Sequence, residues 1–260
     1  MKKYILTLIL ALASLGLYAQ TNRNKTIINA ALHGWEYEIK AGVNLGGTAP
    51  LPFPEEIRSI DGYNPTLSIT IEGNMTKWLD TKKKWGIITG LRLENKGMRT
   101  KATVKNYNME IIGYDGNRLK GNWTGGVRTK VQNSYITIPV LAAYKLSPRT
   151  TLKLGPYFSY LMDGDFSGHV YEGYLRETNP TGDKINFTNG AIATYDFSGD
   201  LRKFQWGVQA GVDWKAFKHL KVHADLNWGL NDIFNKDFKT VTFDTVSYTH
   251  LRAHETGAYL

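Results

Sequence analysis

Between Phe204 and Leu230 the chain alternates apolar and polar residues through two successive runs. In the first, Phe204, Trp206, Val208, Ala210, Val212 and Trp214 alternate with Gln205, Gly207, Gln209, Gly211 and Asp213. In the second, Val222, Ala224, Leu226, Trp228 and Leu230 alternate with Lys221, His223, Asp225, Asn227 and Gly229. A period of two sends successive side chains to opposite faces of a strand, so each run has one apolar and one polar face. Each run has roughly the 9 to 11 residues that a tilted strand needs to cross a bilayer, and Trp sits near its ends. The pattern points to a transmembrane β-barrel. The alternative is a water-soluble barrel or sandwich, whose apolar face would turn inward.

Composition narrows the choice. Mean hydropathy is -0.34, and beyond the N-terminus no apolar run approaches the ~20 residues of a membrane helix. Fifteen Tyr, seven Trp and 26 Gly beside no Cys suit a bacterial envelope protein with aromatic interface anchors and no disulfides or thiolate chemistry. The formal charge is +9, with Lys2 and Lys3 supplying two of it. The charges are scattered, with no aromatic-interleaved basic run, which argues against nucleic acid as a partner. Met1-Lys2-Lys3, an apolar stretch from Tyr4 to Leu17 and the Leu17-Tyr18-Ala19 site before Gln20 read as a signal peptide over 1–19. An uncleaved anchor would need a longer apolar run. A polar lead-in over 20–34 follows.

The alternation recurs upstream. Tyr37, Ile39, Ala41, Val43 and Leu45 oppose Glu36, Glu38, Lys40, Gly42 and Asn44; Pro50 to Pro54 and Asp61-Gly62 then read as breaks. Leu67, Ile69 and Ile71 resume it, and after a short link from Trp78 to Lys84 come Trp85, Ile87, Thr89, Leu91 and Leu93. A long polar insertion, 97–133, precedes strands at 135–144 and 151–161, joined by Leu146-Ser147-Pro148-Arg149. A second insertion, 163–203, leads to the last hairpin, whose link is Phe217-Lys218-His219. Connections therefore alternate long and short, as in a barrel with brief periplasmic turns and extended outer loops. The expectation is an all-β, antiparallel, up-and-down barrel of about eight strands over 35–246, located in the cell outer membrane. With the N-terminus in the periplasm, Trp35, Tyr37, Trp85, Tyr144 and Trp214 fall at the inner interface, and Tyr160, Trp206 and Trp228 at the outer.

Several stretches resemble the PorT-like outer-membrane β-barrel proteins of Gram-negative bacteria. They are Lys40-Ala41-Gly42-Val43-Asn44-Leu45, Leu93-Glu94-Asn95-Lys96-Gly97, Tyr135-Ile136-Thr137-Ile138-Pro139-Val140-Leu141, Leu154-Gly155-Pro156-Tyr157 and Asn227-Trp228-Gly229-Leu230-Asn231-Asp232-Ile233. The order and spacing of the pieces carry the resemblance, which covers nearly all of the barrel and says least about the two insertions. It implies about eight antiparallel strands and no cofactor. The founding member is tied to protein secretion across the outer membrane. The pattern also exposes a departure. About seven strands are found, whereas closure asks for an even number. The tail from Val246 to Thr256 abandons the alternation, with Arg252, His254 and Glu255 close together, and resembles a translated read-through artefact. The last strand is therefore expected to be missing and 247–260 to be a non-native tail.

Candidate chemistry is sparse. His219 and His223 have i, i+4 spacing, but one falls in a turn and the other on a strand, so no metal site is assigned. Asp163-Gly164-Asp165-Phe166-Ser167-Gly168 lacks the later bidentate Glu of a calcium loop and reads as a polar turn. Glu36, Glu38, Lys40, Glu72, Arg92, Glu94, Lys96, Lys153, Asp213, His223 and Asp225 face the lumen. In so narrow a barrel they should pair into a plug rather than line a channel. No Ser, His and carboxylate converge on one rim, with His169 in a loop and His223 near the inner end of its strand, so no catalytic residue is assigned.

That leaves a binding, structural or secretion-accessory role through the outer loops. An outer-membrane hydrolase, a narrow passive pore and a soluble ligand-carrying barrel are the alternatives. The first insertion holds seven cations (Arg99, Lys101, Lys105, Arg118, Lys120, Arg128, Lys130) against Glu110 and Asp115. The second holds seven carboxylates (Asp163, Asp165, Glu172, Glu177, Asp183, Asp196, Asp200) against Arg176, Lys184, Arg202 and Lys203. With turn signals at Asp115-Gly116 and Asn189-Gly190, the two are expected to rise as hairpins that lean together. Tyr107, Tyr114, Trp123, Arg118 and Lys120 would then form a partner-binding rim. Its partners would be outer-membrane lipid, lipopolysaccharide phosphates, or envelope and secretion proteins.

Overall fold

The computed structural model describes residues 33–50, 54–113, 116–235, 237–238 and 245–256. The expected signal peptide, most of the lead-in and Tyr114 lie outside the described residues. The strands are β1 (Trp35–Pro50), β2 (Ile57–Thr66), β3 (Ser68–Trp78), β4 (Trp85–Ile112), β5 (Arg118–Lys145), β6 (Thr150–Glu177), β7 (Lys184–Asp196), β8 (Phe204–Lys215), β9 (Lys221–Gly229) and β10 (Thr245–Thr256), with one 3-10 turn at Ser198–Asp200. All pairings are antiparallel. Eight strands close a ring in the order β1, β3, β4, β5, β6, β8, β9, β10 and back to β1, while β2 adds to β4, and β7 bridges β6 to the tip of β4. The fold is an outer-membrane type of up-and-down barrel with two added strands at one end.

Three sequence expectations need correction. The tail is not strandless: Thr245–Thr256 pairs with β1 (Ala41 opposite Glu255) and with β9 (His254 opposite His223). Without it, β1 and β9 would leave two rows of unpaired backbone groups inside the bilayer, each costing several kcal/mol. A ladder needs only backbone N–H and C=O, so a segment without alternation can fill the gap, and the register shifts at Leu45/Gly46 and Thr249/Ala253 take up the mismatch. Next, the stretch after Pro54 holds strand β2, and Asp61-Gly62 is a bulge within it rather than a break. Finally, the insertions are not loops. β4 and β5 run unbroken to Ile112 and from Arg118, the stretch from Asp163 to Gly168 expected as a polar turn and the expected loop residue His169 both lie within β6, and Asn189-Gly190 sits in an irregular part of β7 between Phe187 and Ile192.

Strand β4 shows how the sequence builds two different interiors from one strand. Its even positions face inward from Gly86 to Val104. In the lower part, toward the short links, Arg92, Glu94 and Lys96 are buried while Ile87, Leu91 and Leu93 are exposed. Above them Met98 and Val104 are buried while Arg99, Lys101 and Thr103 are exposed. The pleat continues and the chemistry on its two faces trades places. At Lys105-Asn106 a bulge, with Asn106 at φ 60°, changes the parity and turns Met109 and Ile111 inward.

The lower half therefore carries an apolar coat. Ile39, Leu67, Ile69, Ile71, Leu154, Leu226 and many others are more than one-third exposed, forming a continuous surface that water would not tolerate but lipid covers. This overturns the soluble alternative, which needed that face inside. The upper half is built the other way. Met109, Ile111, Trp123, Val127, Val170, Leu175, Phe187, Ala193 and Tyr195 form an apolar core between β4, β5, β6 and β7. Gly125 and Gly173 face each other beside the Trp123 ring, where a Cβ on Gly173 would lie 2.7 Å from Trp123. Leu201, Ile233 and Phe234 complete this core.

Candidate functional site

The lumen of the lower half is the most concentrated polar site. Lys40, Glu72, Arg92, Lys153, His223 and Asp225 are all at most 2 % exposed. Glu72 is central: it takes the Arg92 guanidinium, lies 3.6 Å from Lys40 Nζ and accepts from Asn74 at 2.5 Å. Arg92 also donates to Gln209 at 2.8 Å. On one side Glu94 accepts from Thr137 at 2.8 Å and faces Lys96 at 3.6 Å. On the other, Lys153 joins Asp213 and, at 2.9 Å, Asp225. His223 Nδ1 bonds to Asp213 at 2.6 Å, and Glu38 lies within 3.4 Å of both His223 and Lys221. These groups come from β1, β3, β4, β5, β6, β8 and β9, so the network ties the ring together across its own interior. This is the side-chain plug that strand parity indicates. Glu36 is the exception, pairing at the rim with Lys83 at 3.5 Å.

Glu38, Asp213 and His223 place one ligand atom each within 4.8 Å of the others, a spacing a metal ion could use. Their donors are already committed: Asp213 serves both His223 and Lys153, and Glu38 faces Lys40 and Lys221. Three ammonium groups around a cation site oppose occupancy, and the trio reads as part of the ion network. His219 does not join His223. It lines a cavity of about 380 Å³ at the short-link end, with Trp78, Lys83, Lys145 and Lys221.

A family model described as "Outer membrane protein beta-barrel domain" matches residues 18–235. The chain belongs to this outer-membrane barrel family. Its place is the cell outer membrane, where lipid covers the apolar coat of the lower half. No curated protein matches the chain. Among solved structures it is similar to Ail, the attachment invasion locus protein of Yersinia pestis, at 11 % identity and a TM-score of 0.36, covering 86 % of this chain and 99 % of that one. Neisserial surface protein A follows at 9 % identity and 0.30, covering 87 % and 97 %. The Ralstonia pickettii toluene transporter TbuX shows 8 % and 0.23, covering 88 % and 91 %.

Within this family fold the sequence-derived rim does not assemble. Trp123 is fully buried and meets Phe187 edge-on at 5.4 Å. Tyr107 packs against the same upper core, and burial pushes its phenol above the ordinary range. Tyr114 lies outside the described residues. Arg118 and Lys120 are exposed at the hairpin tip, with Arg118 paired to Glu110 at 2.8 Å. Flanking polar and glycine residues make Trp123 look superficial, although its register opposite Leu175 turns it inward. The eight chosen aromatics do face away from the lumen. Tyr37, Trp85, Tyr160, Trp206, Trp214 and Trp228 are 42 to 55 % exposed, and Trp35 and Tyr144 are half-buried. Trp85 and Tyr144 are register partners with ring centroids 4.5 Å apart. The insertions meet as expected, but through the β5–β6 ladder and the apolar core. One ion pair, Lys130–Asp165 at 2.6 Å, adds to that contact.

Proposed function

We propose that this protein is a non-catalytic outer-membrane barrel, of the PorT-like kind, that works as a binding or structural element through the β-structure standing above the membrane. The observation that carries this reading is the filled lumen: Lys40, Arg92 and Lys153 are buried there among carboxylates from opposite walls. A side-chain-filled interior of eight strands leaves little path for solutes, which turns the weight of function to the outer surface. The resemblance to PorT-like proteins adds secretion accessory as the setting for such a role, with envelope or secretion proteins as partners. The eight outward aromatics serve this reading as anchors at the two membrane interfaces. Planar-bilayer recording of the purified full chain tests it. The expected result is no stepped conductance; reproducible steps would replace this reading with that of a pore.

A further inference from the structure

Two rungs of the upper wall, neighbours on its outer face, set like charges directly opposite one another. Arg99 of β4 pairs in register with Lys130 of β5, and Lys101 with Arg128. All four side chains point away from the core. Opposed like charges weaken a strand pair, so folding alone gives no reason for four cations to stand there. The nearby carboxylates are engaged elsewhere or with one member only: Asp165 takes Lys130, and Asp61 on β2 accepts from Ser59 and Thr103. Arg128 lies over the Tyr171 ring at 5.0 Å. Arg99, Lys101 and Arg128 have no ion-pair partner among the described residues. His169 stands opposite Arg128 in β6, and partial burial together with that guanidinium shifts its pKa down from the ordinary imidazole value.

Height above the apolar coat selects the ligand. On these strands the coat ends at Leu93 and Ile136, and two polar rungs, Asn95 with Ser134 and Gly97 with Gln132, separate it from the cations. Six residues at about 3.4 Å each, on a strand tilted by about 40°, raise Arg99 about 15 Å above Leu93. A phospholipid headgroup layer adds only about 5 to 7 Å beyond the hydrocarbon. The phosphorylated sugars of lipopolysaccharide extend further outward and meet the guanidinium groups, which bind phosphate in bidentate fashion.

We propose that Arg99, Lys101, Arg128 and Lys130 form a lateral binding site for phosphate groups of the lipopolysaccharide sugar region. The site is on the wall above the membrane, not at the hairpin tip. It rests on the outer-membrane reading proposed above and names the ligand class of that surface. The test measures affinity of the full chain in detergent for lipopolysaccharide, for the same material after phosphatase treatment, for phosphatidylglycerol and for inorganic phosphate. The expected result is that wild type prefers intact lipopolysaccharide, that high salt or dephosphorylation weakens binding tenfold or more, and that Arg99→Glu/Arg128→Glu loses the same factor while Arg118→Glu/Lys120→Glu does not. If the reversed pair loses the folded, heat-modifiable mobility, Arg99→Gln/Arg128→Gln replaces it and should lose at least threefold. Unchanged affinity in a folded wall variant, loss in the tip variant instead, equal binding of phosphatidylglycerol, or binding of inorganic phosphate without preference for lipopolysaccharide would each overturn the proposal. A wild-type chain that fails to sediment with outer membranes would overturn the outer-membrane reading itself, a result distinct from those four.

Discussion

The two halves of the barrel solve opposite solvation problems with the same three strands. On the membrane side of the Gly97–Gln132 rung, β4, β5 and β6 bury Arg92, Glu94, Thr137 and Lys153 and expose Ile87, Val140 and Leu154. Above it they bury Met98, Trp123, Val127 and Val170 and expose Arg99, Arg128 and Lys101. Strand pairing is continuous across the change, so the ladder does not decide which chemistry goes inside. The surrounding solvent decides. Lipid rewards an apolar coat and forces polar groups to satisfy one another within, whereas water rewards burial of apolar area at about 25 cal/mol per Å². The halves should therefore fail differently. The lower one is held by charge balance, where losing one partner strands another, and the upper one by packing volume.

The largest effect is expected for Arg92→Leu, which leaves Glu72 short of its closest partner inside the lumen and should destabilise the barrel by about 3 to 5 kcal/mol. Urea unfolding in lipid vesicles, followed by Trp fluorescence, measures it. The double variant Arg92→Leu/Glu72→Leu should recover at least half of that loss, because the uncompensated charge goes too. A single variant as stable as wild type would mean the lumen is not locked by charge. Trp123→Ala comes next, at about 3 to 5 kcal/mol for an aromatic cavity, with a different signature. Hydrogen exchange and proteolysis should rise between residues 98 and 128 while the membrane half keeps its heat-modifiable mobility. Collapse of the whole barrel would show that the two halves are one cooperative unit. A smaller contrast comes from a single charge moved along the wall. Leu226→Arg, in the middle of the coat, should cost about 2 to 4 kcal/mol, whereas Gln132→Arg above it should stay within about 0.5 kcal/mol.

The lower half was legible in the sequence because one physical rule covers it: strict alternation assigns a face to every residue, and that rule places Lys40, Glu72, Arg92, Lys153, Asp213 and Asp225 in the lumen where the structure has them. Above residue 97 the rule is interrupted. Bulges at Lys105-Asn106 and Glu172 change parity, and glycine pairs such as Gly125-Gly126 dilute the apolar signal, so a packed core reads as two polar insertions. The alternation of β4 nevertheless continues through Met98, Ala102 and Val104, a signal that its average polarity hides. Strand β10 was illegible for another reason, since its pairing is written in backbone groups common to every residue. The cationic wall lay between these cases. Its charges are plain in the sequence, yet only the register sets Arg99 against Lys130.

Because the chain has no cysteine, a single introduced thiol can carry a spin label at any chosen place. Labels at successive positions of β4 from 87 to 103, in liposomes, would report contact with dissolved oxygen in lipid and with a water-soluble nickel chelate. The inversion predicts high oxygen contact at 87, 91 and 93, high chelate contact at 99, 101 and 103, and little of either at 92, 94, 98, 102 and their even neighbours. Lipid contact continuing through 99 and 101, or loss of the alternation above 97, would contradict it.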